Sequence, residues 1–101
     1  MKGKYMASKK ETAVLVTTEF RGVFFGYMEP QEINGSITIK RARNCLYWSS
    51  DIKGFMGLAA TGPNKNCKVG PAVPSITLQK VTAVIEVTPE AAQQWEKSPW
   101  A

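Results

Sequence analysis

The chain contains no histidine in 101 residues. That absence removes most of the catalytic options open to a small protein. A Ser-His or Cys-His couple is impossible within one chain. The two cysteines, Cys45 and Cys67, belong to no Cys-x-x-Cys pair. They are too few soft ligands to build a zinc site, so no metal and no cofactor is expected. Long apolar runs are also missing. The longest, such as Gly54 to Ala60, fall far short of the roughly 20 residues of a membrane helix. The N-terminus is charged and lacks the apolar core of a secretory signal. A cytoplasmic address with no membrane partner follows as the expectation. A Cys45–Cys67 disulfide would close a modest loop, but in that compartment two reduced, buried thiols are favoured.

Acids are sparse where chemistry would need them. Asp51 is the only one between Lys40 and Lys68, and the scattered glutamates show no paired-carboxylate spacing. GFMGLAATGP, Gly54 to Pro63, lacks both the Gly-Lys-Ser/Thr ending of a phosphate loop and a GxGxxG frame. The chain is therefore expected not to be an enzyme.

What is present is one globular domain. The length supports a single core, and the hydrophobic fraction of 44% argues against wholesale disorder. The net charge of +5 is unevenly placed. Residues 1–10 carry Lys2, Lys4, Lys9 and Lys10 with no acid, and residues 1–12 read as a flexible basic tail. Residues 40–68 carry Lys40, Arg41, Arg43, Lys53, Lys65 and Lys68 against Asp51 alone. The segments between and after are mildly acidic.

Local patterns predict a mainly β domain over residues 13–101. AVLVTT, Ala13 to Thr18, and VFFGYM, Val23 to Met28, are β-branched or aromatic and read as strands. Gly26 marks a bend or bulge. Asn34-Gly35 predicts a type I′ hairpin. It leads into Ser36–Lys40, where Ile37 and Ile39 alternate inward, and CLYWS extends the meander as another strand. Ser50 as N-cap, Asp51 in the first turn and Gly62-Pro63 at the stop predict a short helix. Ser75 to Thr88 gives one or two further strands, with Val81, Ala83, Ile85 and Val87 on one face. Thr88-Pro89-Glu90 opens a last helix through about Glu96, anchored by Trp95 and closed by Pro99. The expected fold is α+β, mainly β: a small, strongly bent antiparallel sheet or partly open SH3-like or OB-like barrel with two helices.

RARNCLYW, Arg41 to Trp48, is the candidate surface. In an extended strand Arg41, Arg43, Cys45 and Tyr47 share one face, and Ala42, Asn44, Leu46 and Trp48 the other. Guanidinium groups fork onto phosphate oxygens, Tyr47 and Trp48 can stack on a base, and Asn44 can read a polar edge. Lys53, Lys65 and Lys68 add charge. Core packing of Tyr47 and Trp48 is the competing explanation for those rings.

ARNCLYWS, KGFMGLAATGP, CKVGPAVP, TL-x-x-VTAV and the closing WEKSPW together resemble a family of short proteins of tailed phages and prophages, classed as a domain of unknown function. The resemblance runs from about Val14 to Trp100. It implies a phage accessory product working in a host bacterial cytoplasm, and it carries no catalytic residues. The expected activity is non-covalent binding of an anionic partner, a nucleotide signal or a host nucleic-acid complex, in counter-defence. A host defence protein as partner, a DNA- or RNA-binding barrel of phage regulation, a structural or assembly protein, and a homo-oligomer all stay open.

Overall fold

The computed structural model describes residues 11–19 and 22–99. The expected tail lies outside them except at its end, and that end is ordered. Strand β1 begins at Thr12, and the Glu11 carboxylate accepts a hydrogen bond from Arg41 at 2.6 Å. The elements that follow are β2 (Val23–Met28), β3 (Ser36–Tyr47), a 3-10 turn (Ser50–Ile52), α1 (Gly54–Ala60), β4 (Lys68–Val69), β5 (Val73–Gln79), β6 (Val81–Glu86) and α2 (Pro89–Lys97).

All the ladders are antiparallel, as expected, in the order β4-β3-β2-β1-β6 with β5 also paired to β3. Cys45, Leu46 and Tyr47 of CLYWS are not a separate strand but the end of β3, which runs for 12 residues and stops before Trp48. Its first part, Ser36 to Ala42, pairs with β5, and its end pairs with β4. Strands β5 and β6 are separated only by Lys80, yet they lie at opposite edges of the sheet. The sheet must therefore curl until its edges approach. Lys80 makes the corner with φ of 55°, and its carbonyl accepts from the Glu19 amide at 2.9 Å.

Curling buries both faces of the sheet. Val14, Val16, Ile37, Ile39, Ala42 and Leu78 fill the inner side. Leu15, Val23, Phe25, Cys45 and Val69 face outward, where Ile52, Leu58, Ala59 and Trp95 from the helical segments cover them. This explains why β1 reads as an unbroken apolar run rather than an alternating one. Each such fully buried side chain stabilises the fold by about 1.5–3 kcal/mol. Gly26 sits where the β2–β3 register shifts; a Cβ there would stand 2.8 Å from Ile39 Cδ1.

Helix α2 follows its sequence signals. Thr88 Oγ1 accepts from the Ala91 amide at 3.1 Å and donates to the Ala60 carbonyl at 2.8 Å. Trp95 is fully buried, its ring stacked on Phe25 with centroids 5.1 Å apart. Its Nε1–H donates to the Leu58 carbonyl at 3.1 Å. One side chain thus locks α2 to the sheet and to α1.

Three local expectations are corrected. The helix after Ser50 is broken: Ser49, not Ser50, caps the 3-10 turn, and Lys53 at φ 70° separates that turn from α1. The break turns Ile52 into the core and lets α1 descend onto the Ile52 carbonyl. The Asn34-Gly35 type I′ turn does not form. It would need positive φ at both residues, and only Gly35 has it, at 98°. Residues 29–35 form a longer connection, in which the Gln31 amide stands in for a strand. It donates to the Thr38 carbonyl at 2.8 Å and accepts from the Thr38 amide at 3.0 Å. Ile85 on β6 and Val87 just after it face the helices, but Val81 packs on the inner side with Val84. A register shift at Thr17/Thr18 is the cause.

Candidate functional site

The two arginines expected to grip a phosphate are both engaged by the protein itself. Phe25 pairs with Arg43 but Tyr27 with Lys40, so β3 holds one extra residue there. Arg41 sits in that bulge at φ 50°. The bulge breaks the simple alternation: Ala42 enters the inner core, while Arg43 lies beneath the end of α2. Arg43 is 8% exposed. Its Nε donates to the Gly70 carbonyl at 2.8 Å, and its Nη1 to the carbonyls of Trp95 at 2.8 Å and Ser98 at 2.7 Å. Burial pushes its pKa down from the ordinary arginine value. It is a structural cation that closes α2.

Arg41 lies 4.3 Å from the centroid of the Tyr27 ring and bonds Glu11. That bond is the main reason its pKa is raised. The Tyr27 hydroxyl donates to Glu96. Arg41 and Arg43 do line one small cleft of about 200 Å³, but Glu96 lines it too. A phosphate there would meet the Glu96 carboxylate and two arginines already engaged by Glu11 and by backbone carbonyls.

Burial, then the bond to Glu96, pushes the Tyr27 phenol up to about 12 from its usual 10. A pKa raised by folding means the protonated phenol is favoured in the native state. The stability it contributes is complete below pH 10 and is lost as pH rises toward 12. Urea melts of wild type and Tyr27→Phe between those limits should converge, the wild type losing more stability as pH rises.

The lysines of the sequence reading fare differently. Lys53 and Lys65 line a continuous groove along α1, the Thr61–Asn66 connection and α2. Its central part has a volume of about 630 Å³. Asp51 and Thr61 border both the Lys53 end and the centre, while Asn64, Lys65 and Gln94 border both the centre and the Lys97 end. Lys53, Lys65 and Lys97 form no ion pair among the described residues. The side-chain amides of Asn66 and Gln94 likewise make no hydrogen bond there, so their donors and acceptors face solvent.

Asp51 and Asn64 build the groove rather than offer themselves to a ligand. Asp51 accepts from the Ser49 hydroxyl and from Asn64 Nδ2, the latter at 2.9 Å. Those bonds hold its carboxyl below the usual aspartate range. Asn64 Oδ1 accepts from the Asn66 amide at 2.8 Å and the Cys67 thiol at 3.5 Å, an Asx turn that fixes Asn66 and Lys65 side by side.

Of the remaining candidates, Tyr47 is 53% exposed and stands cross-strand from Lys68, outside the groove. Asn44 is exposed on β3 and does not line the groove either. Trp48 is half-buried against the helix-side core and lines a separate, mostly apolar cleft. Sequence reasoning missed Asn66, Gln94 and Lys97. The Asn64-Lys65-Asn66 run after Gly62-Pro63 was the available signal for the first, while nothing local links α2 to it. Burial pushes the Cys45 thiol up to about 11, which leaves it inert. Among the described residues no cluster of His, Cys, Asp and Glu could hold a metal. No helix among them is long and apolar enough to cross a membrane.

Fold and groove together define a small α+β, mainly β domain whose two short helices carry a cationic, amide-lined cleft. The chain belongs to the family described as a domain of unknown function (DUF6948), whose sequence model matches residues 11–95. No curated protein and no solved structure matches it.

Proposed function

We propose that the protein is a phage-encoded accessory binder that works in the host bacterial cytoplasm. It holds an anionic partner, a nucleotide signal or a host nucleic-acid complex, without transforming it, and so blunts a host defence. The resemblance to tailed-phage and prophage proteins supplies the setting. One observation carries the binding: Lys53, Lys65 and Lys97 line a single groove and, among the described residues, have no ion-pair partner, beside two amides with no hydrogen bond there. Ammonium groups attract phosphate or carboxylate oxygens, and amides can fix the orientation of what arrives.

The test replaces the three lysines together by alanine and titrates wild type and variant with a nucleoside triphosphate and a single-stranded oligonucleotide. Each charge-assisted contact is worth roughly 1.5–3 kcal/mol, so the triple variant should bind at least about 100-fold more weakly. Its melting temperature should hardly move, since exposed substitutions change stability by less than about 0.5 kcal/mol. Arg41→Ala should leave affinity unchanged. Equal binding by wild type and triple variant, or none by either, would remove the groove as the site. Affinity confined to the oligonucleotide and falling steeply with salt would favour the nucleic-acid barrel instead.

A further inference from the structure

A second cleft, of about 600 Å³, opens between α1 and the β1–β6 edge. Its α1 wall is Phe55, whereas the groove takes Met56, Gly57 and Ala60 from the same helix. The two sites therefore use different sides of α1. Phe55 is 39% exposed. Trp48 stands with it, so two large rings line one opening.

Two further features make this cleft more than a gap in packing. Thr17 pairs with Ala83 and Thr18 with Val81, so Thr82 is the extra residue of a bulge on β6. Bulges re-aim side chains, and this one brings the Thr82 hydroxyl to Thr17 Oγ1 at 2.7 Å. Thr17 is 8% exposed. Two hydroxyls sharing one hydrogen bond each keep acceptor capacity, and both residues line the cleft. The other feature is charge. Among the described residues, Glu19 is the only charged side chain lining the cleft. Its partner Lys80 is 3.8 Å away, and both side chains are more than half exposed, at 58% and 62%. Such a pair is weak and readily exchanged for another cation.

We infer that this cleft binds a small organic cation: an ammonium group carried on a flat apolar body. The ammonium would lie between the Glu19 carboxylate and the threonine oxygens. The body would pack against Trp48 and Phe55, the two large rings that line the cleft. The site is independent of the lysine groove and opposite to it in sign.

The decisive probe is 2-phenylethylammonium, compared with 3-phenylpropionate, which has a similar body and the opposite charge. The chain carries +5 overall, so diffuse attraction favours the anion, and a preference for the cation must come from the site. In NMR titrations of the full chain, the ammonium should shift Thr17, Trp48, Phe55 and Ala83 saturably. It should bind about fivefold or more tightly than the carboxylate. Glu19→Gln should abolish that preference. Phe55→Leu keeps apolar bulk and loses the ring, and it should weaken the ammonium by about two- to tenfold through the lost ring–ring contact. Unshifted resonances at the cleft, equal or tighter binding of the carboxylate, or a preference that survives Glu19→Gln would each overturn the assignment.

Discussion

Arg43→Ala should lower folding stability by about 3–5 kcal/mol, because it removes a buried side chain and the donor of several buried acceptors together. In a domain of this size that is a fall in melting temperature of roughly 12–40 °C. Three carbonyls, those of Gly70, Trp95 and Ser98, lose their donor at once. An unsatisfied buried acceptor costs about 1–3 kcal/mol, and two of these three close the C-terminal end of α2. Arg43→Lys should recover little, because a single ammonium cannot reproduce a planar fork aimed at three oxygens. Arg41→Ala is the contrast. Its ion pair with Glu11 is exposed, and such pairs are worth about 0–1 kcal/mol. Differential scanning calorimetry of the three variants checks the ranking; equal losses at Arg41 and Arg43 would contradict the structural role of Arg43.

The second large effect has a sign opposite to ordinary helix rules. Alanine in place of a helical glycine normally stabilises by about 0.8–1.0 kcal/mol. At Gly57 the added Cβ would stand 1.6 Å from the Ile52 carbonyl oxygen and 2.7 Å from its carbon. No rotamer change can relieve contact with backbone, so α1 must lift from the 3-10 turn. That movement would disturb Ile52 and Leu58, 6% and 0% exposed. Gly57→Ala should therefore destabilise by at least about 3 kcal/mol, in the tail of the mutational range. Gly54→Ala is a graded comparison: its Cβ would meet nothing within 4 Å, but φ is 79°. Its loss should be nearer the roughly 1–2 kcal/mol of a left-handed backbone at an L-residue. Chemical denaturation of both variants distinguishes a steric cause from a conformational one.

The elements whose signals are local were legible in the sequence. Thr88, Pro89 and Trp95 announced α2 because a cap, a pre-set φ and a large apolar anchor act within a few residues. The β-branched runs of β1 and β2 announced strands for the same reason. What failed depended on the partner strand or on a distant backbone group. The faces of Arg41 and Arg43 could not be read by alternation, since one bulged residue reverses everything beyond it. Asn34-Gly35 carried the right residues for a tight turn, yet the Gln31 amide bonded to Thr38 and the strands ended far apart. The site was half legible. Lys53 and Lys65 were visible as charge without acids, but Gln94 and Lys97 reach the groove only through the docking of α2.

The single-residue junction at Lys80 bears on how the chain is made. Strand β1 has β2 as its early neighbour, but its other edge waits for β6, with Val14 opposite Glu86. About 70 residues must be synthesised in between, which takes roughly 4–14 s at bacterial and eukaryotic elongation rates of 5–20 residues per second. For that interval β1 is an apolar strand with one open edge, the kind that pairs with a stranger. The inner core cannot close by halves either, because β5 and β6 arrive consecutively and fill both of its rims. Folding is thus postponed until the last third of the chain emerges, and a slow stretch of translation ahead of residue 73 would lengthen the exposure that follows the first hairpin.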